Sequence, residues 1–173
     1  MPRLGPASKI LKDNPFPLGL AEDNDTETLE DRLSEFERAL GENQVILSRD
    51  LAILEVGCGT GVFLDYLHHY GYNAIGAEAR PRGITRNVVA ARIEALPFGD
   101  ASFDVILSSA VFDKGAYNHS HSMMLKEMAR VLRTGGTYIS RGDEIQTRPK
   151  KVGLRLIKRF GDEMIPVRIY AKT

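Results

Sequence analysis

The sequence predicts an α/β fold in which helices cover both faces of a doubly wound, mostly parallel sheet. Its clearest stretch is the apolar run of residues 52–54, which has the pattern of a buried strand and leads at once into glycines at positions 57, 59 and 61. Helical spacing resumes after the glycines, and a second short strand ends at Glu78. Strands and amphipathic helices then alternate, which is typical of a parallel sheet with helical crossovers.

The chain before the first strand divides into an arm and a helix. Residues 1–25 are rich in Pro and Gly and are expected to form an irregular arm. Residues 26–40 show helical spacing, which predicts a helix that ends near Gly41 and covers the sheet or the mouth of the site. Its apolar stripe consists of Leu29, Leu33, Phe36 and Leu40.

The glycine stretch has the composition of a turn that brings backbone close to a ligand and aims a helix N-terminus at it. The dinucleotide fingerprint requires G-x-G-x-x-G, but here the third glycine comes one residue early and Val62 takes the place of glycine. No Lys-Ser/Thr pair follows, so the stretch is not a P-loop. A tight turn without a ligand is the structural alternative.

Glu78 stands about twenty positions after the glycines, at the end of the second strand, where a carboxylate accepts hydrogen bonds from a ribose diol. A solvated surface glutamate is the alternative. Glu78 suits NAD as well as any other cofactor that contains a ribose. The spacing of the glycines therefore decides between NAD and another nucleoside cofactor.

The segment E-V-G-C-G-T-G, residues 55–61, resembles the first motif of the class I S-adenosylmethionine (SAM) dependent methyltransferases. Residues 93–106 (I-E-A-L-P-F-G-D-A-S-F-D-V-I) and 124–140 (M-L-K-E-M-A-R-V-L-R-T-G-G-T-Y-I-S) resemble later segments of that family. The three blocks occur in the family's order and span about residues 50–141. The resemblance implies a small member of the family with its Rossmann-like fold.

The resemblance also implies SAM as cofactor, S-adenosylhomocysteine (SAH) as product, and a set of contacts. The expected cofactor-binding residues are Glu55, Gly57, Cys58, Gly59, Thr60, Gly61, Glu78, Ala79, Ile93, Glu94, Ser108 and Ser109. Arg92 stands where the family has an acid that meets the adenine amino group, and arginine has no acceptor, so modest affinity is expected.

The loop after the fourth strand, residues 111–121, is expected to face the transferred methyl group, because ligands bind outside the carboxyl ends of such strands. Its candidates for a general base are Asp113, Tyr117, His119 and His121, and the sequence does not choose among them. A metal cluster of Asp113 with the two histidines is the weaker interpretation, since Asn118, Ser120 and Ser122 suit helix capping. No metal site is predicted.

The remaining elements are strands at residues 88–91, 103–108 and 137–140 and short helices at 82–87 and 124–132. Residues 152–160 suit either a helix or a hairpin strand turning at Gly161, and residues 164–171 alternate as a strand. The expected organisation is one SAM-binding domain over residues 1–173, with an arm and helix at 1–46, a cofactor-binding core at 47–141 and a helix/strand segment at 142–173 that is short for the family.

Composition limits the class of protein. Lys plus Arg equals Asp plus Glu at 23 each, so no nucleic-acid partner is evident, and no apolar run is long enough to span a membrane. The single cysteine, Cys58, and the lack of an apolar signal core favour a cytoplasmic location. A small-molecule substrate is the expected partner, and the sequence allows a homodimer.

Three functions are considered. A SAM-dependent methyltransferase with an unidentified, small acceptor leads. A SAM-binding protein without transferase activity is second, favoured by Arg92 and by the lack of a visible substrate-binding insertion. An NAD-dependent oxidoreductase is third, because the sixth-position glycine of its fingerprint is absent.

Overall fold

The computed structural model describes residues 26–45, 48–81, 87–112, 121–145, 148–163 and 165–173. These residues form one seven-stranded sheet in the order β3-β2-β1-β4-β5-β7-β6. The strands are β1 (Ala52–Val56), β2 (Asn73–Glu78), β3 (Val88–Ala90), β4 (Phe103–Ser109), β5 (Leu132–Arg141), β6 (Leu154–Phe160) and β7 (Val167–Lys172). Only β7 runs antiparallel to its neighbours, so the predicted doubly wound, mostly parallel α/β fold is confirmed.

Helices cover both faces of this sheet. They are α1 (Thr26–Glu42), α2 (Val62–His69) and α3 (His121–Val131), with short 3₁₀ helices at Ile93–Ala95 and Pro149–Val152. The predicted stripe of α1 is buried, and it packs together with α2 on one face of the sheet. On the other face, α3 and the first 3₁₀ helix cover a second apolar cluster.

The structure extends the sequence-based prediction at one place and decides between its two alternatives at another. The strand expected at residues 137–140 begins earlier, because Leu132 already pairs with Phe103. Residues 133–136 form an irregularity between this pair and the next one, Val105 with Thr137. The C-terminal segment holds both remaining strands, β6 and β7, and among its described residues the helix before them is the 3₁₀ turn Pro149–Val152. The hairpin interpretation of residues 152–160 is therefore correct.

Some expected elements lie outside the described residues, namely the arm at 1–25 and most of the short helix at 82–87. In the part of the chain that the structure describes, no helix has both the length and the apolar character needed to cross a bilayer.

Candidate active site

The strand order reverses between β1 and β4, because β2 and β3 extend the sheet on one side and β5 to β7 on the other. Ligands bind in such sheets just outside the carboxyl ends of the strands at the reversal. Four polar side chains stand at or near those ends: Glu55 on β1, Glu78 on β2, Ser109 on β4 and Arg141 on β5. The topology therefore brings the predicted site residues to one edge of the sheet.

The glycine loop joins β1 to α2 through three residues in the left-handed region. Gly57, Gly59 and Gly61 have φ values of 65°, 57° and 80°, which favour glycine strongly. The amide of Gly57 donates to the carbonyl of Ala77 on β2 at 2.8 Å, and Gly61 precedes the first turn of α2. The loop is thus fixed against β2, while Gly59 stays exposed with open space around it.

Glu78 is 9% exposed and holds the backbone of the loop. One carboxylate oxygen accepts from the amide of Gly59 and the other from the amide of Arg80, both at 3.0 Å. Each oxygen keeps lone-pair capacity for a further donor. The acid at the end of the second strand therefore has a structural role in addition to the expected ligand role.

A cleft of about 310 Å³, here called the β2 cleft, opens beside Glu78 on the side of the sheet that carries α3. Its lining includes Gly57, Glu78, Ala79, Arg92, Ile93 and Glu94. Ile93 is buried and provides an apolar wall. Arg92 is an exposed side chain that approaches Glu94 at 3.6 Å. Five expected contacts, Gly57, Glu78, Ala79, Ile93 and Glu94, thus line one cleft.

Glu55 lies on the other side of β1, in a second cleft of about 340 Å³, here called the β4 cleft. Only 3% of Glu55 is exposed, and Oε1 accepts from Nη2 of Arg32 at 2.8 Å. Burial raises the pKa of Glu55 above 4.5, and the guanidinium of Arg32 partly opposes this. The second oxygen, Oε2, is buried and finds no hydrogen-bond donor among the described residues.

Arg32 comes from α1 and was not predicted as a site residue. Its guanidinium lies 3.9 Å from the centroid of the Phe63 ring, so α1 contributes a partly buried cation next to Glu55. One turn further along α1, Glu35 accepts from Nε of Arg141 at 2.6 Å. Two ion pairs therefore tie α1 to the carboxyl ends of β1 and β5.

Cys58 contributes to the loop through packing. A Cβ built on Gly76 would lie 2.5 Å from Sγ of Cys58, so this thiol rests against the strand β2. Burial, with the nearby carboxylates of Glu55 and Glu78, raises the pKa of the thiol to about 12. The thiol is protonated at neutral pH and is not a nucleophile there.

Ser108 belongs to a buried network around Asp143, a residue that the sequence did not single out. Asp143 is 1% exposed, and its Oδ2 accepts from the hydroxyls of Ser108 and Ser140. Its Oδ1 accepts from the amides of Val111 at 2.6 Å and Phe112 at 3.1 Å. Asp143 therefore fixes the start of the loop after β4.

The candidate bases are only partly described. Asp113, Tyr117 and His119 lie outside the described residues. His121 is the first residue of α3, and its ring contacts the edge of Phe112 with the centroids 5.1 Å apart. Thr60 is half-buried in the glycine loop, and Ser109 lines the β4 cleft next to Arg141.

Comparison with known proteins identifies the family. The sequence profile of the family described as "Methyltransferase domain" matches residues 54–140, half of the chain. The chain is 32% identical over 104 residues to the uncharacterized methyltransferase YodH of Bacillus subtilis (53% of this chain, 43% of the relative). It is 37% identical over 111 residues to an uncharacterized methyltransferase of Mycolicibacterium vanbaalenii (58% and 41%). The chain thus spans less than half the length of these two relatives.

Solved structures agree on the fold. A putative sarcosine dimethylglycine methyltransferase from Galdieria sulphuraria aligns with a TM-score of 0.65 at 15% identity, over 85% of this chain and 86% of the other. A putative Haloferax volcanii methyltransferase, solved in a complex with the Trm112 methyltransferase activator, aligns with a TM-score of 0.59 at 18% identity, over 84% and 92%. The protein belongs to the methyltransferase-domain family, which is of the class I, SAM-dependent type.

Proposed function

We propose that this protein transfers a methyl group from SAM to a small-molecule acceptor that binds in the β4 cleft. The observation that carries the proposal is the half-paired carboxylate of Glu55, buried beside Arg32 at the end of β1. A buried carboxylate oxygen without a donor costs free energy, and the ammonium group of a methionine tail provides that donor.

The proposed cofactor position runs from the β2 cleft, across the glycine loop, to the β4 cleft. Glu78 accepts from the ribose, Ile93 packs against the adenine, and Glu55 with Arg32 holds the zwitterionic tail. The contacts are Glu55, Gly57, Cys58, Gly59, Thr60, Gly61, Glu78, Ala79, Ile93, Glu94, Ser108 and Ser109, to which Arg32 is added. The clefts on the two sides of the loop support this position.

When bound, SAM supplies a methyl group on a sulfonium, so that a lone pair of the acceptor forms the new bond to carbon while the C–S electron pair returns to sulfur. The chain's contribution is to hold donor and acceptor together, since positioning alone provides much of the acceleration of a two-reactant step. An acceptor that arrives protonated gives its proton to a base or to water. Asp113, Tyr117, His119 and His121 stay the candidates for such a base.

The dimensions of the site support a small acceptor. The β4 cleft offers about 340 Å³ of space, open solvent included, and the proposed methionine tail occupies part of it. Its walls beyond Glu55 are largely apolar, with Leu107, Ile139 and Val167 contributed by β4, β5 and β7. The one cysteine of the sequence, Cys58, has no second cysteine for an internal disulfide, which supports a reducing cytoplasm as the location.

A SAM-binding protein without transferase activity is the second candidate, and the position of Arg92 favours it. This side chain is 60% exposed at the β2 cleft, where the family has an acid. A cation there gives the adenine amino group no acceptor.

Calorimetry with SAM, SAH and NAD tests the cofactor, and release of SAH from SAM across a panel of small acceptors tests the transfer. We expect SAM and SAH to bind and NAD not to bind, and Glu55→Gln to weaken both SAM and SAH. Binding of NAD in preference to SAM contradicts the proposal. Binding of SAM without methylation of any acceptor in the panel supports the second candidate.

A further inference from the structure

The half of the β4 cleft that lies over β4 and β5 contains a charged group that cofactor binding does not require. This group is the guanidinium of Arg141, which lies at the end of β5 with 21% of its side chain exposed. Arg141 pairs in register with Ser109, the last residue of β4, and its carbonyl accepts from the amide of Ala110 at 2.9 Å. Arg141 therefore faces the acceptor side of the strand reversal, whereas Glu55 and Arg32 stand on the cofactor side.

The hydrogen bonds of Arg141 leave its outer edge available. Glu35 takes only the Nε–H group, and in the described part of the chain neither Nη group has a partner. The two Nη groups of an arginine form a planar fork that matches the two oxygens of a carboxylate. Glu35 fixes the orientation of this fork from α1, since it accepts at 2.6 Å from the opposite edge.

The surroundings favour an anion over a cation at this position. Leu107, Ile139 and Val167 line the same half of the cleft, and their apolar surface strengthens a charge pair by excluding water. Arginine is always protonated, and the sulfonium of the bound cofactor adds a second positive charge nearby. A cationic acceptor is repelled by both charges and an anionic acceptor is attracted by both, although the carboxylate of Glu35, paired with Arg141, reduces both effects.

We propose that the acceptor is a small carboxylic acid with an apolar body, whose carboxylate docks on the Nη groups of Arg141. Resting on the proposed function, this assigns Arg141 as the specificity-determining residue and Glu35 as its positioning residue. The carboxylate is the docking group, and the apolar walls of the cleft contact the body that carries the nucleophile.

The test uses the full chain saturated with SAH and three probes with the same aromatic body. Phenylacetate, phenethylamine and phenethyl alcohol differ in charge at one end only, and their affinities are measured by NMR titration. We expect phenylacetate to bind at least tenfold more tightly than the other two. Arg141→Met should lower phenylacetate affinity to that of the alcohol while SAH affinity stays within twofold.

Arg133→Met is the matched control. Arg133 lies near the opposite end of β5, where it pairs with Asp104 at 2.6 Å, so this change should leave the affinities of all three probes and of SAH unaltered. Glu35→Gln keeps an oxygen for Nε and should weaken phenylacetate binding less than Arg141→Met does. Urea denaturation of each variant checks that it is folded.

Two kinds of outcome are distinguishable. If the wild-type protein fails to bind SAH, the proposed function itself is wrong. If SAH binds but phenylacetate shows no preference over the amine and the alcohol, or does not bind at millimolar concentration, the inference about the acceptor is overturned. The same holds if folded Arg141→Met keeps the preference for the carboxylate.

Discussion

The side chain of Val111 fills the space that a side chain on Gly57 would require. Cγ2 of Val111 lies 2.6 Å from the position of a Cβ built on Gly57, closer than real Cβ atoms approach a neighbour. The residue that opens the loop after β4 therefore packs directly against the glycine loop, and each loop limits the conformation of the other.

Gly57 and Gly59 provide a matched pair for testing this contact. Both have positive φ, at 65° and 57°, so alanine at either site carries a similar backbone strain of about 1–2 kcal/mol. Only Gly57 meets another side chain, and overpacking adds about 1–3 kcal/mol. We expect Gly57→Ala to be less stable in urea than Gly59→Ala and to bind SAH more weakly. Adding Val111→Ala to Gly57→Ala should restore part of the lost stability and affinity. Equal effects of the two alanine variants contradict the contact.

Glu78→Ala should lower SAH affinity by at least tenfold. Hydrogen bonds to a charged group contribute about 1.5–3 kcal/mol each, and the variant loses both the proposed ribose contacts and the bond that holds the amide of Gly59. Its preference for SAH over the 2′-deoxy analogue should shrink, as calorimetry with the two ligands can measure. If SAH affinity falls at least tenfold but the preference for SAH over the 2′-deoxy analogue is unchanged, Glu78 only supports the loop.

Arg32 and Arg38 are a second matched pair, because both lie on α1 with the guanidinium over an aromatic ring, Phe63 at 3.9 Å and Phe160 at 4.3 Å. Only Arg32 also pairs with Glu55. Arg32→Met should lower SAH affinity at least tenfold but alter the affinity of methylthioadenosine, which lacks the amino-acid tail, by less than twofold. Arg38→Met should alter neither. A similar loss for both ligands in Arg32→Met shows that this residue acts on the fold of the site.

The pH dependence of SAH binding should report Glu55. Burial raises the pKa of this carboxyl above 4.5, although Arg32 opposes the shift. The ionised form is the one that accepts hydrogen bonds from an ammonium group. As the pH falls, this form is therefore protonated at a pH above 4.5. Affinity should then decrease by up to tenfold per pH unit below that pKa. The raised pKa also means that the free energy of unfolding due to this group is larger below the pKa and decreases as the pH rises through it. In Glu55→Gln, calorimetry should find weaker SAH binding, and the decrease of affinity at low pH should be absent.

The local sequence pattern was sufficient to predict those elements whose residues are neighbours in the chain. The strand–glycine–helix stretch and the stripe of α1 are periodic within one element, so their placement could be predicted. The ion pairs of the β4 cleft could not, because Arg32 and Glu55 are 23 residues apart and Glu35 and Arg141 are 106 apart. Sequence spacing does not specify which charges the sheet brings together.

Strand pairing also accounts for two segments whose extent or type the local pattern did not specify. The strand expected at 137–140 begins at Leu132, because this residue pairs with Phe103, while Gly135, with a φ of 77°, lies in the irregularity that follows. Residues 154–160 suit either a helix or a strand alone, and pairing with β7 decides for the strand. Pairing with neighbouring strands thus sets where these two strands begin and which conformation they take.

Substitution of Asp143 should affect both the stability of the protein and the cofactor site, because its carboxylate holds the start of the loop after β4. Asp143→Asn removes an acceptor for the hydroxyls of Ser108 and Ser140 and should lower the free energy of unfolding by about 1–3 kcal/mol. Because Asp143 also holds Val111, which packs on Gly57, SAH affinity should fall severalfold.

Asp104→Asn is the control for this substitution. Asp104 lies at the start of β4, where it accepts from the amide of Ala52 at 2.8 Å and pairs with Arg133 at 2.6 Å. Asp104 is therefore an acidic residue on the edge of the sheet opposite the site. Asp104→Asn should lower stability in urea without altering SAH affinity. If Asp143→Asn likewise lowers stability alone, the network around Asp143 supports the sheet but does not position the cofactor loop.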